Sequence, residues 1–325
     1  MKAISYRNFG PAEDVLELIN MPDPVAGPGE VVVQIKATGI NPSDVKLRGG
    51  ARPGAVMQHP LVIPHSDGAG VIVSVGSGVD PSRVGERVWI WNGQWQRAFG
   101  TAAEYIALPS EQAVTLPDTT SFAEGACFGI PAMTAWYALY ADGPIADKTI
   151  LVTGGAGTVG RYACQMAALG GARVITTVSS QEKATHSGAK EFVNYRTQNV
   201  AETVLDMTDG AGVDRIVEVD FAANQDASLA LIRPGGTIAS YSSVSQMRPE
   251  LDFYGFMFKN IRLHMLIVYQ LDAVARRRGE AQLSEWLKQG ALNHAVVPGG
   301  HLANAAAAHQ MVEAGDKLGT VVLEV

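Results

Sequence analysis

Cysteine is almost missing from this chain: Cys127 and Cys164 are the only two in 325 residues. Two thiols make neither a disulfide framework nor a four-thiolate zinc site, so a reducing compartment is the simpler setting. Charge is sparse too, at 18% of residues, and leans acidic, with a formal net charge of -7. The one basic run, Arg276-Arg277-Arg278, reads as a solvated helix face. That balance argues against nucleic acid or an anionic membrane as a main partner. Long apolar runs are absent as well. The most apolar late stretch, residues 261–271, is interrupted by Arg262 and His264 and is too short to span a bilayer. The opening MKAISYRNFG has no secretory apolar core, so the expected location is the cytoplasm. What is left, 47% hydrophobic residues at this length, suits a globular chain of two domains.

The most informative stretch is TILVTGGAGTVG, residues 149–160. A short apolar run leads into Gly155-x-Gly157-x-x-Gly160, and a helical pattern follows. Strand, glycine turn and helix in that order form the dinucleotide-binding arrangement. The spacing assigns the sharp turn to Gly155, close approach of a pyrophosphate to Gly157, and tight helix packing to Gly160. The helix start at Thr158 and Val159 then offers N–H groups and a partial positive charge to phosphates.

Around this motif the texture of the chain changes. Residues 31–35, 70–75 and 87–91 read as strands separated by Pro- and Gly-rich turns, a pattern that fits a compact β barrel. Residues 123–140 read as helix broken at Pro131. Strands at 149–153, 173–178, 192–195, 215–219, 237–241 and 262–268 then alternate with helices, which predicts a doubly wound parallel sheet. The expected domains are 1–120 with 270–325, and 121–269. The final strand, 320–325, is expected to return to the first domain, and the alanine-rich 303–308 to be helical.

With Pro28-Gly29-Glu30-Val31, Gly39-Ile40-Asn41-Pro42-Ser43-Asp44, Asp67-Gly68-Ala69-Gly70, Val84-Gly85-Glu86-Arg87-Val88, Ala103-Glu104-Tyr105 and Val193-Asn194-Tyr195-Arg196 in this order, the chain resembles the medium-chain dehydrogenase/reductase superfamily. Within it, the resemblance is to the zinc-free quinone oxidoreductases, the zeta-crystallin-like family, and it covers essentially the whole length. It implies an α/β fold: a GroES-like β-rich barrel domain plus a Rossmann doubly wound parallel sheet domain. It also implies a homodimer, because the last Rossmann strand of that family, here residues 261–268, pairs across a two-fold axis. The zinc alcohol dehydrogenases of the superfamily carry ligands where this chain has Asn41 and Ser66, and a third on or near Ile130. An amide, a hydroxyl and an alkyl group make no zinc site, and His65 lies one residue out of register. No metal is expected.

The second Rossmann strand ends in Ser179-Ser180, with Lys183 shortly after. Hydroxyls and a cation suit a 2′-phosphate better than a free 2′-hydroxyl, so the expected cofactor is NADPH. The resemblance assigns Ser180, Lys183 and Tyr195 to that phosphate. It places Thr134 and Tyr137 on a helix near the cofactor. Tyr241 and Ser243 follow the strand 237–241 at the edge where ligands bind. Glu182 competes with Lys183, and Tyr137 and Tyr241 read equally well as packed aromatics.

For hydride transfer without a metal, Asn41 is the candidate hydrogen-bond donor to the acceptor, against a reading as a turn residue before Pro42. Lys46 stands where the family usually has tyrosine, and is a candidate proton donor. Arg48 is a possible neighbour. Of Trp89 and Trp91, one is expected in the core, and Trp95 is the candidate wall for a flat small-molecule acceptor. The leading function is hydride transfer from NADPH to a quinone or similar electron-poor carbonyl. The alternatives are an enoyl reductase of 2-alkenals or thioesters, and a non-catalytic NADPH-binding protein.

Overall fold

The computed structural model describes residues 1–51 and 54–325. The chain divides into two compact units: Met1–Pro131 with Glu280–Val325, and Ala132–Gly279.

The first unit is organised on the long strand Glu30–Ile40, whose β-branched run Val31-Val32-Val33 is fully buried. Strand Asp67–Val75 pairs antiparallel along one side of it. Tyr105–Pro109 and Thr320–Glu324 pair antiparallel along the other. Register shifts between Val32/Val33 and between Ile35/Ala37 mark bulges in the first of these pairings, the usual device for curling a sheet. Val33, Ile35, Ile72, Val88, Ile90 and Ile106 form one core cluster. Ile40, Ile63, Ala305, Ala308, Val321 and Leu323 belong to another. The C-terminal strand thus does return to the first unit. An unexpected strand, Val296–His301, separated from it in sequence by the helix Ala305–Ala314, runs parallel to it at the sheet edge. Its sequence VVPGGH reads as a turn, but an edge strand tolerates proline because one side needs no ladder partner.

The second unit holds a parallel sheet, six strands among the described residues. Their order is Glu191–Asn194, Arg173–Val178, Thr149–Val152, Val213–Glu218, Ile232–Ser240, Arg262–Met265. In sequence terms this is 3-2-1-4-5-6, with the order reversing beside Thr149–Val152, where such sheets bind nucleotides. Leu151, Ile175, Val193, Ile216 and Ile238 fill its core with Phe221 and Phe256.

Three expectations need correction. The helix break does not fall at Pro131. One helix, Phe122–Ala126, starts at a Ser121–Glu124 capping box, and a new one, Gly129–Tyr140, takes Pro131 into its first turn. A first-turn N–H has no intrahelical acceptor, so proline forfeits nothing there. The last Rossmann strand stops at Met265, and Val268–Gln270 forms a 3-10 turn. The arginine run is not uniformly solvated: Arg277 and Arg278 are exposed, but Arg276 is buried.

Candidate functional site

In the second unit, the strand Thr149–Val152 passes through Thr153 into the glycine turn, and the helix Thr158–Leu169 follows. The left-handed residue of the turn is Gly154, at φ 67°, not Gly155 as the spacing predicted. Gly155 meets a different constraint: a Cβ there would collide with the Thr176 hydroxyl. Gly160 packs against the Gly154 carbonyl, which leaves no room for a Cβ. Gly157 is the N-cap of the helix, and a Cβ on it would have only the Gly154 oxygen nearby, at 3.4 Å. That backbone is open to approach from outside the chain, beside the helix start at Thr158 and Val159. An anionic pyrophosphate fits such a place.

The junction behind the turn is held by Glu218, fully buried at the end of strand Val213–Glu218. It accepts from the Thr153 hydroxyl at 3.1 Å, the Asn224 amide at 2.8 Å and the Asp220 N–H at 2.6 Å. Burial pushes its carboxyl up, and these donors oppose the rise.

At the end of strand Arg173–Val178, Ser179 is buried, and Ser180 caps the helix Gln181–Ser187 by accepting from the Lys183 N–H at 3.2 Å. Its hydroxyl hydrogen is left to donate elsewhere. Tyr195, 52% exposed, is joined to the same strand end by its N–H to the Val178 carbonyl, 3.0 Å. Ser179, Ser180, Lys183 and Tyr195 therefore gather at one edge, while the carboxylate-bearing Glu182 is exposed. Thr134 is buried on helix Gly129–Tyr140, and one turn later the half-buried Tyr137 meets the His264 ring edge-on at 5.1 Å. Tyr241 is half-buried by area, but its hydroxyl is pushed well above the phenol range by burial, with Glu218 and Cys164 nearby. Ser243 ties its own loop: its oxygen accepts from the Ala222 N–H at 3.2 Å and it donates to the Gln246 carbonyl at 2.7 Å.

In the first unit, Asn41 ends the long strand and caps the short helix Pro42–Arg48. The local sequence dictates this: proline follows the cap, and the Asp44 carboxylate returns to the Asn41 N–H at 2.7 Å. The Asn41 side chain also reaches beyond its own helix. Its amide nitrogen donates to the Asp67 carboxylate at 2.7 Å, and both residues are buried. The other Asp67 oxygen accepts from the Ile130 N–H at 2.8 Å. Among the described residues the Asn41 amide nitrogen has no second acceptor. Burial pushes the Asp67 carboxyl well up, Asp44 adds to the rise, and the Asn41 and Ile130 donors hold it down.

Lys46 is exposed on the same helix. Arg48 is not at an open surface: it is 1% exposed, donates to the Gly10 carbonyl at 2.5 Å and pairs with Glu313. Both Trp89 and Trp91 are buried, where only one was expected in the core. Trp89 packs edge-on against Phe128, and the Trp91 ring N–H reaches Glu280 at 3.1 Å. Trp95 is half-buried in the loop that follows.

Sequence reasoning missed a buried pair one layer deeper. His65 Nε2 and His309 Nε2 are 2.8 Å apart, and His65 Nδ1 is 3.0 Å from the Thr38 hydroxyl. Thr38 and Thr101 both donate to the Asp67 carbonyl, at 3.2 and 2.6 Å. His65 adopts φ 77°, a region histidine enters more readily than most residues. Burial holds both imidazoles down, His309 to about 3; His309 adds to the effect on His65, and Arg48 to that on His309. The only prior signal was the imidazole beside Ser66.

Among the described residues, no group of three or more His, Cys, Asp or Glu is placed to hold a metal ion. No helix of the described residues is long and apolar enough to cross a membrane.

Comparison with known proteins agrees with this architecture. Residues 158–289 match the zinc-binding dehydrogenase family, and residues 27–118 the alcohol dehydrogenase GroES-like domain. The chain is 34% identical over 248 residues to a quinone oxidoreductase of Pseudomonas aeruginosa, across 75% of this chain and 70% of that one. It is 29% identical to a 2-haloacrylate reductase of a Burkholderia species, across 99% and 98% of the two chains. Among solved structures, a mycobacterial protein complexed with NADPH superposes with a TM-score of 0.86 at 30% identity, covering 100% of both chains. With its GroES-like unit and its Rossmann sheet, this chain belongs to the quinone oxidoreductase family of the medium-chain dehydrogenase/reductase superfamily.

Proposed function

We propose that this chain is a metal-independent, NADPH-dependent reductase of quinones or similar electron-poor carbonyl compounds. The second unit binds the cofactor, and the first supplies the contacts to the acceptor. What supports the reading most directly is the Asn41 amide. One N–H is held by Asp67, and the other has no partner among the described residues. A quinone is already electrophilic, so a fixed hydrogen-bond donor to its oxygen can suffice where an alcohol or aldehyde enzyme uses a metal. Bound NADPH supplies the hydride. Gly157, Thr158 and Val159 face its pyrophosphate, and Ser179, Ser180, Lys183 and Tyr195 its 2′-phosphate. The mycobacterial relative complexed with NADPH supports the same choice. The two cysteines are free and buried, which suits a reducing cytoplasm.

The working form is a homodimer. Strand Arg262–Met265 lies at the sheet edge with one side unpaired, and Met265, Ile267, Phe253, Tyr254 and Phe258 are exposed on or near it in sequence. An apolar edge of this kind is stable in water when covered.

A second reading is favoured by the near full-length relative that reduces 2-haloacrylate. In it, the acceptor is an activated alkene carrying a carboxylate, and the exposed Lys46 suits that charge.

The test is anaerobic oxidation of NADPH by purified, metal-analysed protein. The acceptors are benzoquinone, phenanthrenequinone, a 2-alkenal, crotonyl-CoA and 2-chloroacrylate, with NADH in parallel. Turnover with the quinones, NADPH preferred, upholds the first reading. Turnover only with the alkenal, thioester or haloacrylate replaces it with the second. Binding of NADPH without turnover on any acceptor refutes both.

A further inference from the structure

Among the described residues two carboxylates are fully buried, Asp67 and Glu218. Glu218 takes its donors from Thr153, Asp220 and Asn224 and holds the junction behind the glycine turn. The two donors to Asp67 come from distant parts of the chain, 26 and 63 residues away, and one of them is the candidate donor Asn41. A buried carboxylate is unfavourable unless donors compensate it, and here the surroundings are shaped to keep it. Gly129 has no room for a Cβ, which would strike the Asp67 carboxylate and come within 2.7 Å of the Ile90 carbonyl. The Asp67 carbonyl is fixed by the Thr38 and Thr101 hydroxyls.

An amide has one donating and one accepting end, and a neutral neighbour with both capacities would let Asn41 turn either way. A carboxylate only accepts, so it admits the nitrogen end alone. With one N–H so fixed, the direction of the second follows from the planar amide.

We propose that Asp67 is a positioning residue for Asn41: its carboxylate sets the amide so that the second N–H is directed at the oxygen of the acceptor. The inference rests on the reading that Asn41 donates to the acceptor. Protonation of Asp67 would turn one of its oxygens into a donor and release the amide. The titratable groups acting on it are Asp44, on the following helix, and Cys127, between the helices Phe122–Ala126 and Gly129–Tyr140.

The test compares Asn41→Ala, Asp67→Asn and the exchange Asn41→Asp/Asp67→Asn. The readouts are kcat and KM for benzoquinone, NADPH affinity by nicotinamide fluorescence, and melting temperature. Asn41→Ala should lower kcat/KM about 100-fold, as loss of a single donor does. Asp67→Asn misaims the donor and should lower it about tenfold or more, mainly in kcat, with NADPH affinity unchanged. The parent's kcat/KM should fall in acid as Asp67 takes up its proton, and Asp67→Asn should lack that fall. The exchange variant restores an amide–carboxylate bond with its polarity reversed. It should recover melting temperature but stay as slow as Asn41→Ala. Recovery of turnover together with melting temperature would make the contact structural only and overturn the proposal. So would Asp67→Asn turning over within about twofold of the parent. If Asn41→Ala itself turns over normally, the donor reading falls as well. If it is slow and Asp67→Asn is not, only the positioning role falls.

Discussion

The His65–His309 pair makes the protein's stability fall in mild acid, by an amount that follows from its burial. Both imidazoles are kept neutral in the fold, and His309 is held at about 3 against a usual 6.5. A histidine whose folded pKa is depressed contributes its full stability above the unfolded value. That stability is lost as pH falls below about 6.5 and continues to fall until the folded value is reached. Between about pH 7.5 and about pH 5.5, the unfolded imidazole gains roughly 0.8 of a proton and the folded His309 almost none. The resulting loss is about 1.4 kcal/mol from His309 alone, and His65 adds in the same direction. For a unit of this size that corresponds to a fall in melting temperature of about 3–6 °C. The control is His309→Gln, whose amide can still donate to His65 but does not titrate. Asp67 and Glu218, held up by burial, shift stability in the opposite sense, and His186 and His264, held down, in the same sense. All four are present in both chains and cancel in the comparison. The assay is thermal melting of parent and variant across this pH interval. Parallel pH dependences would refute the argument, because they would mean that His309 titrates in the fold as it does in water.

Three further outcomes are expected. Lys183→Ala should weaken NADPH binding by about 10–100-fold and leave NADH nearly unaffected, since a charge-assisted hydrogen bond contributes about 1.5–3 kcal/mol; titration of both nucleotides by fluorescence decides it. Gly157→Val should fold normally but lose nucleotide binding. Gly155→Ala, with no room beside Thr176, should lower stability by about 1–3 kcal/mol, and melting curves with and without NADPH separate the two effects. Met265→Lys at the sheet edge should leave the melting curve of dilute protein unchanged and shift the sedimentation coefficient from dimer to monomer; an unchanged coefficient would place the interface elsewhere.

Much of the architecture is legible in local sequence because the features that specify it are local. TILVTGGAGTVG carries strand, turn and helix within twelve residues, and Asn41-Pro42-Ser43-Asp44 carries its own capping box. Legibility fails where neighbours in space decide. What holds position 155 to glycine is not the turn but Thr176 in the neighbouring strand. Whether Pro131 breaks a helix depends on where the helix starts, two residues earlier. The strand Val296–His301 exists only because Thr320–Glu324 lies beside it. The candidate site shows the same division. Asn41 could be picked from its own segment, but the partner that orients it, and the imidazole 244 residues from His65, lie far off in sequence. Arg48 was misplaced for this reason: its anchors, Gly10 and Glu313, are remote.

The Asp67 carboxylate also constrains what this scaffold can become. Installing zinc ligands here, with cysteine in place of Asn41, would remove the amide that compensates Asp67. The apoprotein would then bury a carboxylate beside a thiol, and its fold would come to depend on the cation that reconciles them. Metal loading and folding would become one event, and a chelator would unfold the redesigned chain while leaving the parent intact. A change of catalytic strategy at this site therefore has to include Asp67.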